Sequence, residues 1–284
     1  MLLLQYPFAL SALGLCLLLT GVLSFFGYHV VRRGVIFVDL ALAQVASLGA
    51  CVGFLIGWGE TRPLATFLLS LGFTFMGALL FSWFRGRRAL PIEALIGVTY
   101  AGAMALSLIV LEKSATGSEE LKEMLVGSIL TVSPRTLGLA AAIFAVVGVI
   151  LFLARKPLFA ITEAPEEARA RGLKLWFWDF VFYTAFGIVV TFSVRVAGVL
   201  LVFAFLIVPS LASLLALRGR GASGAWKRVA FGWGFGTVGC LAGLEASLRL
   251  DWSAGPTIVA AFILFLAVAG VVARLRSGTV SGGG

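Results

Sequence analysis

Charged residues are scarce in this 284-residue chain: Asp, Glu, Lys and Arg together make up 12% of it, whereas hydrophobic residues make up 61%. A soluble globular domain carries about a quarter charged residues and is about half apolar. The composition therefore excludes a soluble globule and predicts a protein that lies in a membrane. The net charge of +9 is then better explained by a basic cytoplasmic face than by binding to nucleic acid.

Residues that carry enzyme chemistry are also few. His29 is the only histidine, and the cysteines Cys16, Cys51 and Cys240 all lie in apolar runs without a Cys-x-x-Cys spacing. No His-Glu-x-x-His motif, Ser/His/Asp set or Cys/His set can be assembled from these residues. We interpret the cysteines as small buried hydrophobes and expect that the chain is not an enzyme.

A nucleotide-binding loop is missing as well. The pattern Gly-x-x-x-x-Gly-Lys-Ser/Thr, whose backbone cradles the phosphates of ATP, does not occur. We therefore expect that this chain itself binds no ATP and no other cofactor. If the protein moves a solute against its gradient, the energy comes from a partner subunit or from an ion.

Long apolar runs are what the chain does have, and a run of about 20 residues crosses the bilayer as a helix. We predict an all-α integral membrane protein with about nine transmembrane helices in residues 1–276 and a flexible tail in residues 277–284. The first run has no basic segment before it, so we expect a retained helix and no cleaved signal. The nine runs are residues 7–28, 35–58, 63–84, 92–111, 136–154, 175–194, 197–217, 229–248 and 255–273.

Basic residues alternate along the connections between these runs. Sixteen of the 22 Lys and Arg residues fall in the odd-numbered connections or after the last run, and six fall in the even-numbered connections. Because basic residues stay on the cytoplasmic side, we expect the N-terminus outside and the C-terminus in the cytoplasm. Residues 119–133, which we expect to form an interfacial or re-entrant helix, then lie on the external side.

A charged segment, residues 158–174, separates the fifth run from the sixth. We predict a polar helix of about three turns there, and such a helix cannot lie in lipid. The distribution of basic residues places it in water at the cytoplasmic face. Because the chain lacks a nucleotide loop of its own, contact with another protein is the role that suits this helix.

The second run holds polar residues at membrane depth, where they indicate a functional site by default. Asp39 lies about one turn from the cytoplasmic end, Gln44 lies near the middle, and Ser47 belongs to a face of small residues. We take these three residues as candidates for the substrate pathway. The alternatives are an ion pair of Asp39 with Arg32 or Arg33 and a hydrogen bond of Gln44 between helices.

The seventh and eighth runs supply the remaining candidates. Glu245 is a pathway candidate, with an i,i+4 ion pair to Arg249 as the alternative. Pro209 removes a backbone hydrogen bond in the middle of the seventh run, which predicts a kink and a candidate gating position. Four glycines share one face of the eighth run and predict close helix packing: Gly232, Gly236, Gly239 and Gly243.

Six blocks of sequence, in this order and topology, resemble the permeases of bacterial metal-ion ABC importers of the zinc, manganese and iron class. The resemblance implies an all-helical importer subunit that pairs with a second permease, expected to be another copy, and binds two ATPase subunits carrying ATP and Mg. It also implies a bacterial inner (plasma) membrane and an extracytoplasmic binding protein that delivers the substrate. The blocks are residues 31–37, 93–97, 127–133, 165–172, 197–209 and 251–259.

The resemblance also assigns a coupling helix that docks into the ATPase. The family often has an acidic residue just before the proline of this helix, where the present chain has Ala164. The positions that match the coupling helix are Pro165, Glu166, Glu167, Ala168, Ala170 and Gly172.

The second run departs from the family pattern Gly-Asp-x-Leu-Ser-His, which places a carboxylate and an imidazole on one helix face as possible metal ligands. Here Gln44 replaces the histidine and the acid, Asp39, lies one position earlier. The two side chains are then about 140° apart around the helix. Asp39 remains the metal-ligand candidate that the resemblance implies.

The function that the resemblance implies is import of a divalent transition metal, with zinc first and manganese or iron next. Three alternatives stay open. One is an ion-coupled secondary transporter, which would require inverted repeats and charges near the bilayer midplane. The second is an ABC importer of a non-metal small solute or a small chelate, and the third is a structural or assembly membrane protein.

Overall fold

The computed structural model describes residues 6–58, 61–84, 91–111, 129–217 and 224–278. Every regular element in these residues is helical, which confirms the predicted all-α class. A short 3-10 turn lies at Ile129–Thr131. The α-helices are α1 (Pro7–Arg33), α2 (Val38–Leu55), α3 (Pro63–Phe84), α4 (Ile92–Leu111), α5 (Pro134–Leu153), α6 (Arg155–Glu163), α7 (Pro165–Ala170), α8 (Leu175–Ala197), α9 (Val199–Ala216), α10 (Ala225–Leu250) and α11 (Ala254–Gly278).

Nine helices in the described part of the chain are long and apolar enough to cross a membrane. They are α1 to α5 and α8 to α11, and they match the nine predicted runs in order. The predicted ends differ most at α1, which continues to Arg33, and at α11, which continues to Gly278. A helix keeps its backbone hydrogen bonds beyond its apolar stretch, so hydropathy marks the lipid-facing part and not the end of the helix.

The chain divides into two compact units. The α2 unit comprises residues 32–127 and 142–199, and the α10 unit comprises residues 1–31, 128–141 and 200–284. The α2 unit therefore contains most of the positions that the sequence proposes for the substrate pathway and all of the coupling positions. The α10 unit contains the glycine face and Pro209.

In the α2 unit, α2 packs against α3, α4 and α8. Small residues allow this close approach: a Cβ atom on Gly49 would lie 2.8 Å from Cα of Ser70, and one on Gly53 would lie 2.9 Å from a methyl group of Thr66. The hydroxyl of Ser70 also donates to the carbonyl oxygen of Ala46 at 2.6 Å. The small residues of α2 therefore bring its backbone against α3, as expected for packing in a membrane.

In the α10 unit, α10 packs along α11 through its glycines. A Cβ atom on Gly243 would lie 2.5 Å from Cα of Ile258, and one on Gly239 would collide with the ring of Phe262. The predicted glycine face is therefore confirmed as a packing face. It brings the backbone of α10 directly against α11.

Pro209 lies inside α9 and is buried. Its nitrogen has no hydrogen to donate, so α9 loses one backbone hydrogen bond there. Two glycines of α10 face this turn: a Cβ atom on Gly232 would lie 3.3 Å from the carbonyl oxygen of Pro209, and one on Gly236 would lie 3.3 Å from its Cγ atom. The glycine face thus continues along α9, and the gating role of Pro209 stays a prediction.

The charged segment differs from the single polar helix that the sequence predicts. It forms two helices, α6 and α7, which meet at Ala164 with φ −144° and ψ 74°. Pro165 explains the break, because proline disfavours the helical conformation in the residue before it and suits the first position of a new helix. The second helix ends at Ala170, two residues before the end that the family motif implies.

Two predicted features fall largely outside the described residues. Of residues 119–133, the structure describes only 129–133, where the short 3-10 turn lies. The helix α11 runs to Gly278, so the first two residues of the predicted flexible tail have helical backbone. The rest of that tail lies outside the described residues.

Candidate functional site

Asp39 lies in the first turn of α2 and is only 2% exposed. Its Oδ1 atom has no hydrogen-bond partner among the described residues. The predicted alternative, an ion pair with Arg32 or Arg33, is wrong, because Arg32 binds Glu163 and Arg33 binds Asp179. The helix N-terminus favours a negative charge at this position, but no described cation neutralises it.

Ser47 lines a small cleft between α2, α3 and α8. The enclosed space is about 20 Å³, enough for one water-sized group. Asp39 and Gln44 do not belong to this lining, and Gln44 is half-buried. The structure therefore brings Ser47 together with residues of α8 and not with the other two pathway candidates. The lining consists of Ala43, Ala46, Ser47, Ala50, Ser70, Thr191, Val194 and Arg195.

Arg195 is the charged residue of this cleft, and the sequence did not single it out. It lies in the last turn of α8, where a cation stabilises the helix end. Its guanidinium carbon lies 5.7 Å from the centre of the Phe67 ring, and no carboxylate pairs with it in the described part of the chain. Its position as a cation at the end of an apolar run is the sequence signal that could have identified Arg195 as a candidate. The cleft thus offers a positive charge and hydroxyl groups.

Glu245 forms the ion pair with Arg249 that the spacing predicts. Oε1 of Glu245 accepts hydrogen bonds from Nε of Arg249 at 3.0 Å and from Nη2 at 2.8 Å. The glutamate side chain is 14% exposed and that of the arginine 61%. This acid is therefore already neutralised by a neighbour on its own helix, and Asp39 is the stronger pathway candidate.

Potential metal ligands are dispersed in the described residues. No group of three or more His, Cys, Asp and Glu side chains that could hold a metal occurs there. His29 is buried and packs its ring 4.6 Å from the ring of Phe25. The three cysteines are buried, as expected. A closed metal site with several strong ligands is therefore not formed by the described residues of one chain.

The short helix α7 presents most of the predicted coupling residues on the surface. The side chains of Glu166 and Glu167 are 80% and 71% exposed and pair with Arg169 and Arg171 of the same segment. Ala168 is 2% exposed, so it packs inward and supports the helix instead of offering a contact. Of the predicted docking residues, Pro165, Glu166, Glu167, Ala170 and Gly172 are exposed.

A buried arginine cluster lies next to α7. Nη1 of Arg33 donates to Oδ1 of Asp179 at 3.0 Å, and its Nε atom donates to Oγ1 of Thr162 at 2.8 Å. The guanidinium carbon also lies 4.3 Å from the centre of the Phe182 ring. Sequence reasoning missed this arrangement, because the two charged residues are 146 positions apart.

The match to a family model covers most of the chain. The model of the ABC 3 transport family matches residues 5–273. This range contains all nine candidate spans and α7. The match supports the resemblance that the six sequence blocks indicate.

Three relatives are similar over almost their whole length. An uncharacterized membrane protein of Synechocystis, slr2045, is 27% identical and covers 90% of this chain and 87% of its own. The manganese import system permease protein ScaB of Streptococcus parasanguinis is 21% identical over 95% of this chain and 92% of its own. A Haemophilus influenzae protein named "Probable iron transport system membrane protein" is 24% identical over 96% of both chains.

A solved structure has the same fold. PsaBC from Streptococcus pneumoniae, in complex with Fab, aligns with a TM-score of 0.77 at 20% identity, over 94% of this chain and 92% of that chain. The two proteins thus share the arrangement of their helices, although few of their residues are identical. Because the family model matches residues 5–273, the chain belongs to the ABC 3 transport family.

Proposed function

We propose that this chain is the membrane-spanning permease subunit of an ATP-driven importer of a divalent transition metal. Its proposed partners are two ATPase subunits, a second copy of the chain and an extracytoplasmic binding protein that delivers the substrate. ATP and Mg are bound by the ATPase subunits, and the metal is the cargo. The observation that carries the proposal is α7, a short exposed charged helix in a chain that matches a transport family over residues 5–273.

The position of α7 supports a docking contact. Its glutamates are largely exposed and its inner face is anchored by Ala168. A polar helix between spans must lie in water, and the distribution of basic residues favours the cytoplasmic side for it. ATP hydrolysis in a partner would therefore reach the membrane helices through α7.

The donors near the pathway favour a particular class of metal. Asp39, Gln44 and Ser47, which the structure does not bring together in one site, supply carboxylate, amide and hydroxyl oxygens, whereas the only histidine, His29, is packed against Phe25. Oxygen ligands suit manganese, whereas imidazole suits iron as well as zinc. One relative is named for manganese import and another for iron transport. We therefore place manganese first, on the donors and a relative's name, and iron before zinc on a relative's name alone.

Weak binding within the membrane is compatible with transport. Conduction requires contacts strong enough to admit an ion and weak enough to release it. Asp39 would attract the cation. Because it is a single carboxylate and not part of a complete set of ligands, it would bind the cation weakly and release it again. The binding protein would then supply most of the selectivity.

A second cargo, an anionic metal chelate, is favoured by Arg195. The exposed guanidinium of Arg195 borders the Ser47 cleft, where it would repel a bare cation and attract carboxylate or catecholate oxygens. The cleft itself holds only a water-sized group, so a chelate would meet this guanidinium outside it. Uptake of the same metal supplied free or as a citrate complex separates the two cargoes. The permease function itself is common to both.

Charge reversal on α7 tests the proposal. The double variant Glu166→Lys/Glu167→Lys is expected to insert normally and to lose most of its association with the ATPase. The two introduced lysines would repel the basic docking surface that we expect the ATPase to offer to these acids. The measurement is co-purification of the ATPase with the tagged permease, followed by ATP hydrolysis in the presence of metal-loaded binding protein.

The matched control, Glu119→Lys/Glu120→Lys, reverses two acids that we expect on the other side of the membrane from the distribution of basic residues. This variant should keep ATPase association. Unchanged ATPase binding and unchanged stimulated hydrolysis in the α7 variant would contradict the docking role of α7.

A further inference from the structure

The last residue of α1, Arg33, is bonded to two other helices at once. Its side chain is completely buried, and that of its partner Asp179 is 2% exposed. One edge of the guanidinium reaches Asp179 on α8, and the Nε atom reaches Thr162 on α6. We call Arg33, Thr162 and Asp179 the arginine clamp. It fixes the positions of three helix segments relative to each other within the α2 unit.

The clamp lies directly before the proposed coupling helix. Thr162 is the penultimate residue of α6, and α7 begins three positions later at Pro165. Between them Ala164 has left the helical conformation. On the other side of α7, Gly172 has φ +81°, a conformation that glycine adopts without strain. The helix α7 is therefore a short rigid element with a non-helical joint at each end.

The chemistry of the clamp suits transmission of movement. A guanidinium is planar and holds its donors in a fixed fork, so it resists rotation where an ammonium would not. The ring of Phe182 below the guanidinium restricts it further. A displacement of α6 would therefore carry α8 and the end of α1 with it.

A second arginine pair nearby provides a contrast. Arg32 binds Glu163 through two hydrogen bonds of 3.2 and 2.5 Å, but the arginine side chain is 39% exposed. Exposed pairs contribute little to stability and hold their partners loosely. Burial distinguishes the clamp from this pair, although both join α1 to the last turn of α6.

We propose that Arg33 is a positioning residue of the transport cycle, which passes displacement of α7 through α6 to α8 and to the end of α1. The inference rests on the proposed function, because it needs an ATPase that moves α7. Arg33 does not contact the cargo. Its loss would uncouple ATP hydrolysis from transport without stopping hydrolysis.

The test uses the complete complex in proteoliposomes and measures metal moved per ATP hydrolysed. The double variant Arg33→Met/Asp179→Leu removes both charges and leaves no buried ion without a partner, a change that buried pairs often tolerate. It should assemble with the ATPase and melt near the temperature of the parent. Metal moved per ATP should fall at least about fivefold, the lower end of ordinary coupling between sites.

The matched control is Arg32→Gln/Glu163→Gln, which removes the exposed pair and should keep the transport ratio of the parent. A clamp variant that keeps the parent's metal-to-ATP ratio would overturn the proposal. If the double variant does not accumulate, Arg33→Lys is measured in the same assay, since it keeps the charge and loses the fork. A lowered ratio in Arg33→Lys supports the proposal and a parental ratio overturns it.

Failure of the proposed function is distinguishable from failure of this inference. A parent complex that moves no metal when it hydrolyses ATP would refute the importer assignment. A parent complex that transports, together with clamp variants that transport equally well per ATP, would refute only the positioning role.

Discussion

Asp39 differs from the other buried and half-buried acids of the described chain. Asp179, Glu163 and Glu245 are each paired with an arginine, whereas Asp39 is buried and its Oδ1 atom has no described partner. A carboxylate in apolar surroundings is costly unless a cation or hydrogen bonds compensate it. A position of this kind suits a cation that passes and does not stay.

Asp39→Asn should lower metal uptake by at least about tenfold, because loss of a ligand costs no less than the loss of an outer-shell partner. The amount of permease in the membrane should not change, since asparagine has the same shape. Uptake is measured with radioactive manganese and iron in cells at equal permease level.

The matched control for Asp39→Asn is Asp251→Asn. Asp251 is exposed and has φ 53°, which asparagine also tolerates. Parental uptake in Asp39→Asn would show that Asp39 has only a structural role. Loss of uptake in both variants would show a general effect of removing a negative charge.

Residue types and short spacings indicated part of the candidate site. The pair of Glu245 with Arg249 follows from one helical turn of spacing, and the choice of Asp39 as a pathway candidate follows from its position inside an apolar run. The partner of Arg33 is not predictable in this way, because Asp179 becomes its neighbour only when α1 and α8 are packed. Arg195 likewise joins Ser47 only through the packing of α8 on α2.

At the scale of single elements, α10 shows what its glycines do. Gly243 lies against the backbone of Ile258, which cannot move without moving α11. Gly234 lies on the same helix and has no atom of another element within 4 Å of its would-be Cβ. Gly243 is therefore a glycine that packing requires, whereas Gly234 only lowers the stability of the helix.

Gly243→Ala should reduce stability by about 1–3 kcal/mol, the usual cost of overpacking. Gly234→Ala should be neutral or stabilising by up to about 1 kcal/mol, since alanine is the better helix former. Thermal unfolding of the purified protein in detergent measures both changes. Equal effects of the two substitutions would show that α10 does not pack on α11 through this face.

The existence of the long helices was predictable, and the details of the charged segment were less so. Runs of about 20 apolar residues leave few alternatives in lipid, so the nine spans were identified in order. The break at Ala164 follows from Pro165. The prediction of one three-turn helix was wrong because it ignored the effect of this proline on the residue before it. The inward orientation of Ala168 depends on what lies beneath α7, which the local sequence does not reveal.

For the whole molecule, the choice lies between an ATP-driven importer and an ion-coupled transporter. An ion-coupled transporter would be expected to carry charges near the bilayer midplane in related halves. In the described residues, the paired acids lie near helix ends, and α7 offers a surface suited to a protein partner. Both features favour a permease driven by a separate ATPase.

The most direct test is metal uptake into proteoliposomes that contain the permease with its co-purified ATPase, with the binding protein outside. The account predicts manganese or iron uptake, free or as a chelate, that requires ATP and a hydrolysis-competent ATPase and persists when ionophores collapse the ion gradients. Uptake by vesicles that contain this chain alone, driven by an imposed ion gradient and indifferent to ATP, would contradict it.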